Sequence, residues 1–147
     1  MKIVIETPVK QDYKQVWQGF TKELFLALTP PWTPIEVLRF DGCKRDDEIH
    51  LRIGLSPLAQ RWKSKIIEQK ETDKEIYFID EGIELPLFLS YWHHKHRIIK
   101  QAEGTLIVDE ITFESFNGAG SFAIYPALYL QFAARKSVYQ DWFNGEE

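Results

Sequence analysis

At 147 residues the chain has the length of one ordinary domain and buries roughly two-thirds of its unfolded surface on folding. Its 44% hydrophobic and 27% charged residues exclude a disordered chain, and a net charge of −4 weighs against a nucleic-acid partner, which asks for a basic face. The single cysteine, Cys43, excludes an intramolecular disulfide and any cysteine zinc cluster.

The opening segment MKIVIETPVK alternates instead of forming a long apolar run, so it predicts a strand over residues 2–9 and no signal peptide. Residues 11–28 predict helix, with Val16, Phe20, Leu24 and Ala27 at helical spacing and a break near Gly19 and Thr21. The prolines of TPPWTP, 29–34, stop it. Six further strands follow, over 35–40, 48–53, 60–69, 75–80, 88–99 and 104–115, rich in β-branched and aromatic residues and joined by short links that favour antiparallel neighbours. FNGAGS, 116–121, is expected to end the sheet as a loop. A long helix is then expected from about Pro126, since proline suits a first helical position, to Phe143. No linker or repeat divides the chain, so residues 1–147 are expected to form one domain. No stretch approaches the roughly 18 apolar residues of a membrane span. The expectation is a cytoplasmic monomer or homodimer, with neither membrane insertion nor a nucleic-acid partner.

Chemistry-bearing residues concentrate in LSYWHHKHRIIKQ, 89–101, which holds three of the four histidines. On a strand, Trp92, His94, His96 and Ile98 share one face, while Tyr91, His93, Lys95 and Arg97 share the other. The charged pair belongs in water, which turns Trp92, His94 and His96 inward. In GTLIVDEITFES, Asp109, Ile111 and Phe113 share a face with Thr105 and Ile107, and the wetter opposite face sets that one inward too. The short link KQAEGT makes these strands a hairpin, with His96 and Asp109 at similar distances from its turn, so an inward carboxylate is expected beside an inward imidazole. In the strand 60–69, Trp62 shares the inward face with Ser64 and Ile66, as core or as cavity wall. Trp32, between prolines, suits a portal lid or a packed loop, and Arg135 either pairs with Asp109 or Asp80 or lies exposed on the last helix.

These residues also carry a resemblance. IGLSPLAQRWKSKIIEQ, a proline loop leading into a Trp-bearing strand, is followed by YFIDEGIELPLFLSYWHHKH with its Trp92, His94 and His96. GTLIVDEITF, with Asp109, Ile111 and Phe113 in alternation, and FAAR, 132–135, complete the set. In this order they resemble the SRPBCC superfamily, which includes the START lipid-transfer, birch-pollen allergen and polyketide cyclase groups, and sit closest to its bacterial, uncharacterised ligand-binding branch. The resemblance implies an α+β helix-grip fold: a curved, seven-stranded antiparallel sheet wrapped around a long C-terminal helix, with two short helices after the first strand. It also implies a hydrophobic cavity between sheet and helix.

The H-x-H pair admits three readings. On one strand face the two residues stand about 6.6 Å apart at the backbone, as metal ligands can, but Asp109 is the only third ligand in view and zinc needs three or four. With Asp109 the pair could serve acid–base chemistry. Or the three satisfy one another in a semi-buried wall and anchor the polar end of a ligand. The last is the expectation, with no metal and no cofactor. The partner is then a small hydrophobic molecule, bound by Trp62, Trp92, Phe113 and Phe132 as wall, with Ile111, and by His94, His96 and Asp109 as anchor. The alternative is a cyclase- or dehydratase-type enzyme using His94 and Asp109. No G-x-S-x-G, Walker loop, G-x-G-x-x-G or H-E-x-x-H occurs to support other chemistry.

Overall fold

β1 (Lys2–Val9) alternates exposed and buried residues without a break, as a strand with one wet face does. The computed structural model, which describes residues 1–144, continues with α1 (Tyr13–Gln18) and α2 (Lys22–Leu28). Each starts on a side-chain cap: Asp12 accepts from the Lys14 N–H at 3.1 Å, and Thr21 from the Leu24 N–H at 3.3 Å. The break falls at Gly19, as the sequence suggests. A Cβ there would strike the ring of Phe143, so the glycine lets the end of α1 sit against the C-terminal helix.

Six more strands follow, β2 (Ile35–Phe40), β3 (Glu48–Ile53), β4 (Gln60–Glu71), β5 (Glu75–Glu84), β6 (Tyr91–Lys100) and β7 (Thr105–Glu114). They form one antiparallel sheet in the order β1-β7-β6-β5-β4-β3-β2, which is not closed into a barrel. Register shifts at Val37/Arg39, Lys63/Ser64 and Ile66/Glu68 mark bulges, which bend and twist the strands that carry them. Gly104 turns β6 into β7 with φ of +77°, and a Cβ on it would collide with the Val9 carbonyl oxygen.

The end of the chain departs from expectation. FNGAGS is not a loop leading to a helix at Pro126. α3 runs Gly118–Ala133 with Pro126 inside it, and a single turn residue, Ala134, separates it from α4 (Arg135–Phe143). The start is fixed by a cap that outweighs the proline cue: Asn117 Oδ1 accepts from the Gly120 N–H at 2.6 Å, and Ser121 Oγ accepts from the Ser115 N–H at 3.0 Å. The glycines sit in the first turn, where Gly120 packs against Ser115 with no room for a Cβ.

The helices lie on the inward face of the sheet, α3 against β1 and β7 and α4 against β1, which gives the helix-grip arrangement. Three apolar clusters result, the smallest of them Cys43, Ile66 and Phe78. Of the two larger ones, one joins Val16, Leu24, Tyr139 and Phe143 to Ile98 and Ile107; the other joins Ile5, Trp92, Phe113, Leu128 and Phe132. Because Trp92 and Ile98 belong to opposite clusters, the β6 residues between them, His94 and His96, fall midway along the strand.

Candidate functional site

β6 alternates as expected: Trp92, His94, His96 and Ile98 are buried, and their neighbours His93, Lys95 and Arg97 lie on the wetter face. There Arg97 holds Glu75 at 2.9 Å and Lys95 sits over the Tyr77 ring. The β6–β7 register places His96 directly opposite Asp109, and the β5–β6 register places His94 opposite Asp80. The hydrogen bonds run along the diagonals. His94 Nε2 bonds Asp109 Oδ1 at 2.8 Å and His96 Nε2 bonds Asp80 Oδ2 at 2.7 Å, while the direct cross-strand contacts, His94 Nδ1 to Asp80 Oδ2 and His96 Nδ1 to Asp109 Oδ1, are both 3.7 Å. Asp80 also accepts from the Trp92 indole N–H at 3.1 Å. Rings hold the imidazoles in place: they stack on each other with centroids 3.5 Å apart, Phe78 stacks on His96 at 4.1 Å, and Phe132 meets His94 edge-on at 5.4 Å.

The charge states follow from burial against partners. Burial pushes the Asp80 carboxyl up, but the His96 hydrogen bond, the His94 and His96 charges and the Trp92 hydrogen bond hold it below the usual carboxylate range. For Asp109 burial again pushes up, and the His94 bond and the His94, Arg135 and His96 charges outweigh it. His94 moves the other way. Burial, reinforced by His96 beside it, brings the imidazole down to about 4 despite both carboxylates. At neutral pH His94 is therefore a neutral ring. Its bond to the Asp109 carboxylate assigns the proton to Nε2, which leaves a lone pair on Nδ1, 3.7 Å from Asp80 Oδ2. His96 Nδ1 and Asp109 Oδ2 are buried with no hydrogen-bond partner.

These groups form the polar part of the wall of a pocket of about 400 Å³ between the sheet, α2 and α3. Of the residues expected at the site, Trp62, Trp92, His94, His96 and Phe132 line it. Trp62 meets Trp92 edge to face at 4.7 Å and donates from its indole to Ser64 Oγ at 3.1 Å. Asp109 stands behind the histidines, fully buried. Ile111 and Phe113 lie in the packed cluster with Ile3 and Ile5 and do not reach the pocket wall. Sequence reasoning did not place Asp80 in the cluster, although the residue faces inward on β5 and joins more of the site than any other carboxylate. Arg135 makes no close ion pair among the described residues: its guanidinium lies over the Phe132 ring at 4.3 Å and reaches Asp109 through its field. Cys43 also lines the pocket, its thiol pushed up to about 12 by burial, which leaves it no thiolate character near neutral pH.

Four segments carry no charged residue, 29–34, 54–59, 85–90 and 115–134, and all but 54–59 supply lining residues of the pocket, among them Pro30, Phe88 and Ile124. Antiparallel pairing brings them together at the end of the sheet where β3, β5 and β7 finish. Leu58, Leu87, Phe116 and Phe122 are each at least 70% exposed there, and Trp32 is 62% exposed, neither a packed loop aromatic nor a closed lid. No helix among the described residues is long and apolar enough to cross a membrane.

No protein-family model matches the chain, and no curated protein matches it in sequence. Solved structures match its fold. Protein Ms6760 from Mycobacterium smegmatis aligns over 99% of this chain and 92% of its own at 12% identity, with a TM-score of 0.71. Truncated norcoclaurine synthase from Thalictrum flavum aligns over 100% and 95% at 13% identity, with a TM-score of 0.69. Ginseng major latex-like protein 151 from Panax ginseng aligns over 94% of each chain at 15% identity, with a TM-score of 0.59. At these identities the likeness is one of fold alone, the helix-grip arrangement expected from the sequence.

Proposed function

We propose that the chain, working as one domain, binds a small apolar or amphipathic molecule in the pocket between sheet and helices. The observation that carries this reading is the pocket itself: about 400 Å³, walled by aliphatic and aromatic side chains, with one convergent polar group made by Asp80, His94 and His96. That volume and that pattern are those of small-molecule sites. The uncharged segments at one end of the sheet support the same reading, since an apolar guest can approach them without displacing tightly held water from charges.

Magnitudes say what the polar group is for. Burying about 300 Å² of ligand apolar surface yields about 7.5 kcal/mol at about 25 cal/mol/Å². Association takes back at least about 4 kcal/mol, which leaves a complex of only millimolar order. A useful affinity therefore requires an anchor, and the histidine–aspartate group supplies one on a wall that also carries Arg135 and Gln131. The test is native mass spectrometry of the purified protein together with displacement of a fluorescent apolar probe by a panel of lipids and polycyclic compounds. Absence of any co-purified molecule, no probe binding and an unmoved melting temperature across the panel would remove the support for binding.

A second reading is favoured by one observation, the 2.8 Å bond between His94 and Asp109, which is the geometry of an oriented general base. In a cyclase- or dehydratase-type enzyme His94→Ala abolishes turnover, whereas in a binding protein it shifts affinity. A His94 titrating near 4 is a weak base at neutral pH, where acid–base efficiency asks for a value near 7, and this favours binding over catalysis.

A further inference from the structure

We propose that Asp80, His94 and His96 form a site for one divalent transition-metal ion, zinc in the first instance, with its open coordination position facing the pocket. The proposal shares a wall with the ligand reading but stands without it, since metal binding needs no apolar guest.

The sequence offered two imidazoles on one strand face and only Asp109 as a third ligand. The fold supplies a better one. One potential ligand atom each from Asp80, His94 and His96 lies within 4.8 Å of the others. Zinc bonds of about 2.0–2.1 Å put tetrahedral ligand atoms about 3.3 Å apart. Asp80 Oδ2 is 2.7 Å from His96 Nε2 and 3.7 Å from His94 Nδ1, values on either side of that separation. Shifts of about half an ångström in side chains on adjacent strands bring both to it, and the two imidazoles, stacked with an interplanar angle of 27°, must tilt further apart for their lone pairs to meet at one ion.

Asp109 completes the arrangement from behind. Metal-bound histidines donate their other ring N–H to a carboxylate, which fixes the tautomer and aims the lone pair. His94 already does so: Nε2–H is given to Asp109 Oδ1 at 2.8 Å, and Nδ1, left with a lone pair, lies 3.7 Å from the Asp80 carboxylate oxygen. Two acceptors at that distance repel, and a cation between them reverses the sign. His96 reaches the same state by a change of tautomer. Its proton leaves Nε2, freeing that lone pair for the metal, and settles on Nδ1, the buried atom that has no partner and lies 3.7 Å from the same Asp109 oxygen. The exchange turns the orphaned nitrogen into a donor aimed at the Asp109 carboxylate. Two imidazoles and a carboxylate suit zinc and its neighbours in the first transition row, and three protein ligands leave one position open.

The experiment uses the full chain freed of metal with a chelator, titrated with zinc by calorimetry and with cobalt by visible absorption. The expected result is one zinc per chain at micromolar affinity or tighter, and the intense visible bands of four-coordinate cobalt. His94→Gln is expected to abolish the saturable site, and Asp109→Asn to weaken it about 10–100-fold through loss of the outer carboxylate. His50→Gln, which alters a half-buried histidine of β3 held by Glu48 of the same strand, is expected to leave zinc binding unchanged. Should a variant fail to fold, imidazole nitrogen shifts of the wild-type chain decide: those of His94 and His96 must move with zinc. No stoichiometric binding, binding that survives His94→Gln in a folded protein, or zinc bound with both sets of resonances still, each overturns the proposal.

Discussion

Asp80→Ala tests whether this carboxylate joins the site together. The substitution strips the acceptor from two buried donors, Trp92 Nε1 and His96 Nε2. Each buried donor left unpaired costs about 1–3 kcal/mol, or about 2–6 for the pair. Removing a buried charge returns part of its desolvation cost, which sets the expected loss near the lower end, about 3 kcal/mol. Asp80→Asn keeps one carbonyl acceptor and loses about half as much. Urea unfolding of the metal-free chain, followed by tryptophan fluorescence and circular dichroism, measures this directly. With an m-value of about 2 kcal/mol/M, the midpoint falls by about 1.5 M for Asp80→Ala and by about half that for Asp80→Asn. The pH dependence supplies a second arm. The folded-state pKa of Asp80 lies below its ordinary 3.8, so its stabilisation is complete above that value and is lost as pH falls through the lower, folded-state value. The wild-type and Asp80→Ala midpoints should therefore converge on acidification from pH 7 to below 3.8. An Asp80→Ala midpoint within about 0.3 M of wild type at pH 7, or a gap that does not close in acid, refutes the reasoning.

His94 has a folded-state pKa brought from 6.5 to about 4, so its contribution is present above 6.5 and lost as pH falls from there to 4. Across that window the metal-free wild type is expected to lose on the order of 3 kcal/mol that His94→Gln does not lose, as read by urea midpoints at a series of pH values. Trp62→Ala, at the half-buried end of the tryptophan pair, should leave the fold intact while weakening apolar-probe binding several-fold; a probe affinity equal to wild type would take Trp62 out of the wall. Gly104→Ala combines a φ of +77° with a collision against the Val9 carbonyl and is expected to cost at least about 2 kcal/mol in thermal melts.

The inward face of β6 and the hairpin register were legible because both rest on local rules. Alternation fixes which of Trp92, His94 and His96 share a side, and a short turn fixes which residue faces which. Asp80 was not legible as the partner of His96. The β5–β6 link, with Pro86 and three leucines, lacks a tight-turn signature to set the register, and pairing by period 2 does not say which diagonal neighbour a carboxylate will bond. Depth was also hidden. Phe113 and Trp92 face the same way from adjacent strands, yet α3 lies against β1 and β7, so Phe113 is covered while Trp92 borders the pocket. The start of α3 was misread because a proline suggests a helix beginning wherever one is allowed, and only the Asn117 side chain shows that the helix begins eight residues earlier than Pro126.

The uncharged segments around the pocket have a kinetic corollary. With no ionised side chain on them, an arriving uncharged molecule feels little long-range pull or push from this end of the protein. Its capture rate is then set by diffusion and by how often the opening admits it, and it stays flat as ionic strength rises, where an electrostatically steered receptor would slow. Discrimination among guests must be exercised after arrival, in how long each remains.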